Sequence, residues 1–323
     1  KTNSKTEILE LPLKEAALTQ FGGKRITRRA ELQSFLRDTY RLEFNELTRV
    51  CEINGSPLED HHLADSFLAQ QHGIEVSKQM AADSFEFISK SNPYNPVQRY
   101  LQGLRERSDL RLIPMQELAA AFAIETGDEV SICLLASHLA GAAMRGLTPG
   151  HKHDQILVIR GEQGTFKSSS IEALAGLWYD SATRVEEYES KDFLARINGA
   201  WLFEIDECEH TLQKRTAAEF KGFISRRNDR YVEKYEKTAK THWRRSVLFG
   251  TTNSAEFLND ATGNRRAWII DTGNRNLDPQ WISAHRDSIW ATVLTWIDWG
   301  LSNHFAKTSE LAAATAERAQ NSS

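Results

Sequence analysis

The stretch Gln155-Ile156-Leu157-Val158-Ile159-Arg160-Gly161-Glu162-Gln163-Gly164-Thr165-Phe166-Lys167-Ser168-Ser169 decides how this chain is read. It opens on a short apolar run, the pattern of a buried parallel strand rather than a half-exposed one. A glycine-bearing loop follows, then Lys167-Ser168 and a helix-like run from Ser169 to Leu177. Strand, glycine loop, Lys-Ser and helix are the order that a phosphate-binding loop requires. In such a loop the backbone N–H groups wrap the phosphates and the helix N-terminus adds positive potential. Lys167 would reach the β/γ-phosphates and Ser168 would ligate Mg²⁺. Gly161, Glu162, Gln163, Gly164, Thr165, Phe166, Lys167, Ser168 and Ser169 are therefore the expected ATP-binding residues. Phe166 stands where the pattern has glycine, and is expected to crowd the nucleotide or slow turnover.

Downstream, apolar runs recur at Ala200–Ile205, Ser246–Phe249 and Ala267–Ile270, with helix-like segments between the first three strands. That alternation predicts an α/β sheet covered on both faces. The strand Trp201-Leu202-Phe203-Glu204-Ile205-Asp206-Glu207 ends in acids, which beside a phosphate loop can hold a Mg²⁺ water shell and polarise an attacking water. Glu204 and Asp206 share one strand face; which acid is metal-side and which is the base stays open. Asn253, at the end of Val247-Leu248-Phe249-Gly250-Thr251-Thr252-Asn253, is placed to bond a γ-phosphate or the water, although Thr-Thr-Asn is also a common turn or cap. Arg265 and Arg266 follow a glycine loop and can stabilise a transferring phosphoryl, often from a neighbouring subunit. Adjacent side chains in an extended segment point opposite ways, so one is expected to be the finger and the other structural.

Between the acids and Asn253 lies a basic segment. Gln213–Arg245 carries 11 Lys/Arg against Glu219, Asp229, Glu233 and Glu236, a net of +7. A strand from Arg230 to Tyr235, a turn near Lys237–Lys240 and a return strand into Ser246 would make a projecting hairpin. Its basic groups suit a single-stranded phosphate backbone. A solvated basic face is the plainer alternative. Arg184–Glu209, just before it, carries a net of −5, so the whole-chain charge of −4 hides two opposed segments.

Upstream, helices are expected at Glu31–Tyr40, Leu63–Gln71 and Ser77–Lys90, with a strand–turn–strand over Leu42–Pro57 about Asn54-Gly55. Ser91-Asn92-Pro93-Tyr94-Asn95-Pro96 reads as a linker, because two prolines in four residues break a helix. Gln98–Arg107 and Met115–Thr126 then look helical, and Asp128 is placed to cap a long apolar helix running to Met144. Thus 1–91 reads as a small α+β unit, 92–149 as a helical collar, 150–303 as the phosphate-loop core and 304–323 as a helical or disordered tail.

The 323 residues are 40% hydrophobic and 26% charged, which excludes collagen-like and wholly disordered classes. Three scattered cysteines, Cys51, Cys133 and Cys208, build no disulfide framework or paired zinc spacing, so a cytoplasmic location is expected. The apolar stretch Ser131–Met144 is too short to span a bilayer, so no membrane is expected. The chain starts at Lys1 rather than Met, which suggests a segment upstream. His151, His153 and Asp154, and likewise Asp206, Cys208 and His210, are incomplete metal-ligand sets and are read as loop or surface residues.

Pro149-Gly150-His151-Lys152-His153-Asp154, the phosphate loop, Phe203-Glu204-Ile205-Asp206-Glu207, Lys221 through Asp229-Arg230, Thr251-Thr252-Asn253 and Thr262-Gly263-Asn264-Arg265-Arg266 occur in that order. Together they resemble the virulence-associated protein E family, itself similar to the superfamily III helicases, AAA+-type P-loop ATPases of phages and mobile elements. The resemblance spans roughly Pro96 to Gly300. It implies an AAA+-like core that hydrolyses ATP with Mg²⁺ and unwinds DNA during replication, working on single-stranded or forked DNA as a homo-oligomeric, hexameric ring, with a primase or initiator partner. Lys167 and Ser168 would serve as Walker A residues. Glu204 with Asp206 and Glu207 would be Walker B, Ser168, Glu204 and Asp206 being the metal-side group. Asn253 would be the sensor, Arg265 or Arg266 the trans finger, and Arg230, Lys234, Lys237, Lys240 and His242 the DNA-contacting group. The alternative is a nucleotide-regulated DNA-binding or initiator module, or a loader ATPase, with hydrolysis weakened by Phe166.

Overall fold

The computed structural model describes residues 25–58, 63–183, 190–208, 222–233, 237–254 and 266–300. Contacts divide the chain into two compact units, Lys1–Asn95 and Pro96–Ser323.

The smaller unit contains α1 (Arg29–Thr39), β1 (Leu42–Asn45), β2 (Val50–Ile53), β3 (Ser56–Pro57), α2 (Ala64–His72), α3 (Lys78–Ser91) and β4 (Pro93–Tyr94). Its sheet has the order β3-β2-β1-β4. Leu42–Pro57 makes two turns rather than the expected one. The first is fixed by Asn45, whose side-chain oxygen accepts from the backbone N–H of Leu47 and Thr48. The second is Asn54-Gly55, both left-handed at φ 52° and 87°, the geometry that joins two-residue hairpins. Pro93-Tyr94 is not a free linker, because β4 lies parallel to β1 with Phe44 opposite Pro93. The unit therefore extends past the expected edge at 91. Leu32, Leu36, Leu68, Phe85 and Ile88 form its core.

The larger unit begins with α4 (Pro96–Arg105), α5 (Met115–Ala121) and α6 (Glu129–Leu147). α5 stops short of the expected Thr126 because the chain turns left-handed at Ala123, φ 55°. Asp128 caps α6 by accepting from the Ser131 N–H, as its position before the apolar run predicts. α6 is long and apolar enough to cross a membrane by length and composition, yet 72% of its most apolar stretch is buried inside this fold. It is a core helix.

The sheet follows: β5 (Ile156–Gly161), α7 (Lys167–Ala175), β6 (Tyr179–Ala182), α8 (Lys191–Asn198), β7 (Leu202–Ile205), the ribbon strands β8 (Asn228–Tyr231) and β9 (Lys240–Trp243), then β10 (Val247–Thr252), β11 (Ala267–Gly273) and α9 (Pro279–Asp298). Five strands lie in the order β11-β5-β10-β7-β6, and every pairing is parallel. Both faces are apolar, which is why the strands read as continuous hydrophobic runs. Ile156, Val158, Phe203, Ile205 and Leu248 face one core with Phe193 and Ile197 of α8. On the other face Trp201 stacks against Trp290 of α9 at 4.2 Å and donates to the Ala142 carbonyl of α6. The tail expected from 304 lies outside the described residues.

Candidate nucleotide site and basic hairpin

In a parallel sheet the carboxyl ends of all strands open on one edge, and ligands bind there. Here β5 delivers the glycine loop to that edge, β7 the acids and β10 the residues Thr251 to Asn253. Because β10 sits between β5 and β7, its end falls between the lysine and the acids.

Lys167 is only 8% exposed. Its Nζ donates to the carbonyls of Gly161 and Glu162, both at 2.7 Å, and to Asn253 Oδ1 at 2.8 Å. The loop is pinned by Thr165 Oγ1, which donates to Glu162 O, and by β11, where Gly273 O accepts from Glu162 N. Gly161 and Thr165 are buried, while Glu162, Gln163, Gly164 and Ser169 face solvent. Phe166 adopts φ 62° and ψ 27° at the start of α7, the left-handed conformation that glycine takes at low cost. Its ring is 50% exposed. The left-handed backbone at Phe166 therefore costs strain of about 1–2 kcal/mol.

Glu204 is fully buried at the sheet edge. Its Oε1 accepts from Ser168 Oγ at 2.7 Å and Thr251 Oγ1 at 2.6 Å, and its Oε2 from Tyr179 OH at 2.5 Å. Thr251 Oγ1 also lies 3.0 Å from Asp206 Oδ1, so one hydroxyl bridges the two acids. Asp206 is half-buried and Glu207, left-handed at φ 47°, is exposed. Burial first, and then the charge and hydrogen bond of Glu204, push the Tyr179 hydroxyl pKa well above the ordinary tyrosine range. Tyr179 keeps its proton and remains a donor. The structure thus brings together Lys167, Ser168, Glu204, Asp206 and Asn253, and adds Tyr179 and Thr251. Arg266 leads directly into β11 and is half-buried; Arg265 lies outside the described residues.

An all-oxygen set of a hydroxyl and carboxylates suits a hard cation such as Mg²⁺. Ser168, Glu204 and Asp206 have that chemistry, so the donor set fits the ion the loop implies. Among the described residues no group of three or more His, Cys, Asp or Glu gathers as a metal site, His151, His153 and Asp154 included. His153 is instead buried against His138, its Nε2 lying 3.0 Å from His138 Nδ1.

β8 and β9 form an antiparallel ribbon, with Asp229 opposite His242, Arg230 opposite Thr241 and Tyr231 opposite Lys240. Arg230, Lys237 and Lys240 are exposed. Lys234 lies outside the described residues. His242 is only 8% exposed and stacks on Tyr231 at 4.1 Å, so it packs the ribbon and is withdrawn from the expected DNA-contacting group. At the ribbon's base Arg244, 1% exposed, grips Asp229 with two hydrogen bonds of 2.7 and 2.8 Å. Arg145 of α6 donates to the carbonyls of His151, Ser246, His153 and Arg226. Burial, with the nearby Arg244 charge, lowers its pKa to about 9, which still leaves it charged at neutral pH.

A parallel sheet with a glycine loop and a lysine at one strand end, and a buried acid two strands away, is an α/β fold of the nucleotide-binding kind. The chain belongs to the virulence-associated protein E-like domain family, whose model matches residues 115–323. Among solved structures, the apo structure of the NrS-1 C-terminal region (305–718) aligns with a TM-score of 0.53 at 10% identity, covering 88% of this chain and 73% of that one. An A-form apo structure of the same region gives a TM-score of 0.49 at 14% identity, covering 81% and 67%. No curated protein matches the chain.

Proposed function

We propose that Pro96–Ser323 is an AAA+-like P-loop ATPase of the superfamily III type, which unwinds DNA during replication of a phage or mobile element. The observation that carries this reading is the pair of contacts at the sheet edge, Lys167 Nζ to Asn253 Oδ1 at 2.8 Å and Ser168 Oγ to Glu204 Oε1 at 2.7 Å. They join a phosphate-loop lysine, a cation-side hydroxyl, a buried acid and a polar strand end, residues with complementary work in phosphoryl transfer. The strand order, with β10 inserted between loop strand and acid strand, supports the same class.

Lys167 and the loop amides would hold the phosphates, while Ser168 and Asp206 would hold Mg²⁺. Bound Mg²⁺ supplies neutralisation of charge developing on the phosphates. Asp206 or Glu207, the two acids with solvent access, would accept the proton of the attacking water. Asn253, released from Lys167, would orient that water or the terminal phosphate. Arg265 or Arg266 would complete the site of a neighbouring copy, as in the proposed ring, and Arg230, Lys237 and Lys240 would track single-stranded DNA.

The test is MgATP hydrolysis by the full chain with and without single-stranded DNA, followed by strand displacement on a forked duplex. Lys167→Ala is expected to abolish nucleotide binding. Hydrolysis that is absent, or unaffected by Lys167→Ala, overturns the reading.

A further inference from the structure

Tyr179 touches this chemistry from outside any phosphate-loop pattern. It lies on β6, an edge strand with a half-buried, polar sequence. Its hydroxyl donates to Glu204 Oε2, whereas the two hydroxyls from α7 and β10 both meet Oε1. The carboxylate is thus held at both oxygens, and a carboxylate torsion that is otherwise broad becomes fixed.

Fixing Glu204 has a consequence for Ser168. A serine hydroxyl has one proton and two lone pairs. When the proton is committed to Glu204 Oε1, the lone pairs turn away from the carboxylate, as a cation ligand needs. We propose that Tyr179 is a positioning residue for cation-dependent chemistry at this site: it orients Glu204, which in turn orients the Ser168 oxygen toward Mg²⁺. This inference rests on the nucleotide-site reading above. Groups one step behind a metal ligand set its direction, and losing one costs about 10–100-fold in metal affinity or activity.

Tyr179→Phe removes the hydroxyl and keeps the ring. In the full chain, the Mg²⁺ concentration giving half-maximal binding of a non-hydrolysable ATP analogue, read by calorimetry, should rise about tenfold, and kcat for ATP hydrolysis should fall about tenfold. The KM for ATP should stay within about twofold, because the loop and Lys167 are untouched. Placed on Glu204→Gln, the same change should have no further effect, since both act along one path. Tyr179→Gln, which retains a neutral donor, should recover part of the rate and serves where the phenylalanine variant fails to fold. Wild-type Mg²⁺ dependence in Tyr179→Phe, or an equal loss in both backgrounds, overturns the inference while the nucleotide site stands. A wild-type chain that neither binds nor hydrolyses ATP overturns both.

Discussion

Among the described residues of the larger unit two carboxylates are buried, and they are satisfied in opposite ways. Asp229, at the hairpin base, is held by the guanidinium of Arg244 and by Asn198 Nδ2, which leaves its charge permanently matched. Glu204, at the sheet edge, is held by the neutral hydroxyls of Ser168, Thr251 and Tyr179. Hydroxyls satisfy lone pairs without cancelling charge. A buried charge normally needs an opposite charge or a metal, so the contrast separates a carboxylate matched by a guanidinium, a strut, from one held by neutral groups, as the proposed cation site requires.

The comparison breaks most visibly at Arg244. Arg244→Met leaves the buried Asp229 with only the Asn198 amide and the more distant Arg226 at 3.8 Å, and should cost about 3–5 kcal/mol in urea unfolding. Adding Asp229→Leu should restore most of that. If the single variant were neutral, the strut reading of this pair would fail.

His138 sharpens the contrast as a buried group kept uncharged. Burial lowers its pKa from 6.5 to about 3. The folded value lies below the unfolded one, so its contribution is complete above pH 6.5 and is lost as pH falls from 6.5 toward 3. The expected slope is about 1.4 kcal/mol per pH unit, and His138→Phe should remove it. An unchanged slope in that variant would assign the acid sensitivity to other groups.

Glu204→Gln should change stability by less than about 1 kcal/mol, because hydroxyls can reorient to bond an amide. ATP hydrolysis should nevertheless fall by about 100-fold or more. A stability loss as large as that of Arg244→Met would make Glu204 a strut as well. The smallest effect belongs to Phe166→Gly. Relief of about 1–2 kcal/mol of left-handed strain is opposed by about 0.4–1 kcal/mol from a looser unfolded chain. The net gain should be about 0–1.6 kcal/mol by the same unfolding measurement, with ATP affinity within about twofold.

The sequence reveals β5, β7, β10 and β11, because a strand covered on both faces is an unbroken apolar run. β6 escapes that pattern: Tyr179-Asp180-Ser181-Ala182 is polar and half-buried, as an edge strand is. Tyr179 is hidden with it, 12 residues beyond Lys167 and bound to no local pattern. Nor does local pattern give strand order, which depends on contacts far apart in the chain. The two residues Lys167 and Asn253, 86 positions apart, meet only through that order. The hairpin illustrates register. Its first strand is Asn228–Tyr231 rather than Arg230–Tyr235, and the pairing of Asp229 with His242 turns the histidine inward. Alternation alone could not have said which face of so short a ribbon would be covered.

The same strand order has a consequence for how the protein is made. β5, an inner strand apolar on both faces, pairs with β10 and β11, the last two strands to be synthesised among the described residues. About 110 residues separate the end of β5 from the end of β11, so at ribosomal speed its edges wait roughly 5–20 s for their partners. During that interval a sticky strand is open to wrong pairing. A nascent chain that stalls after α7 therefore leaves an apolar strand with both edges unpaired, and slow or chaperone-poor expression should cost soluble yield.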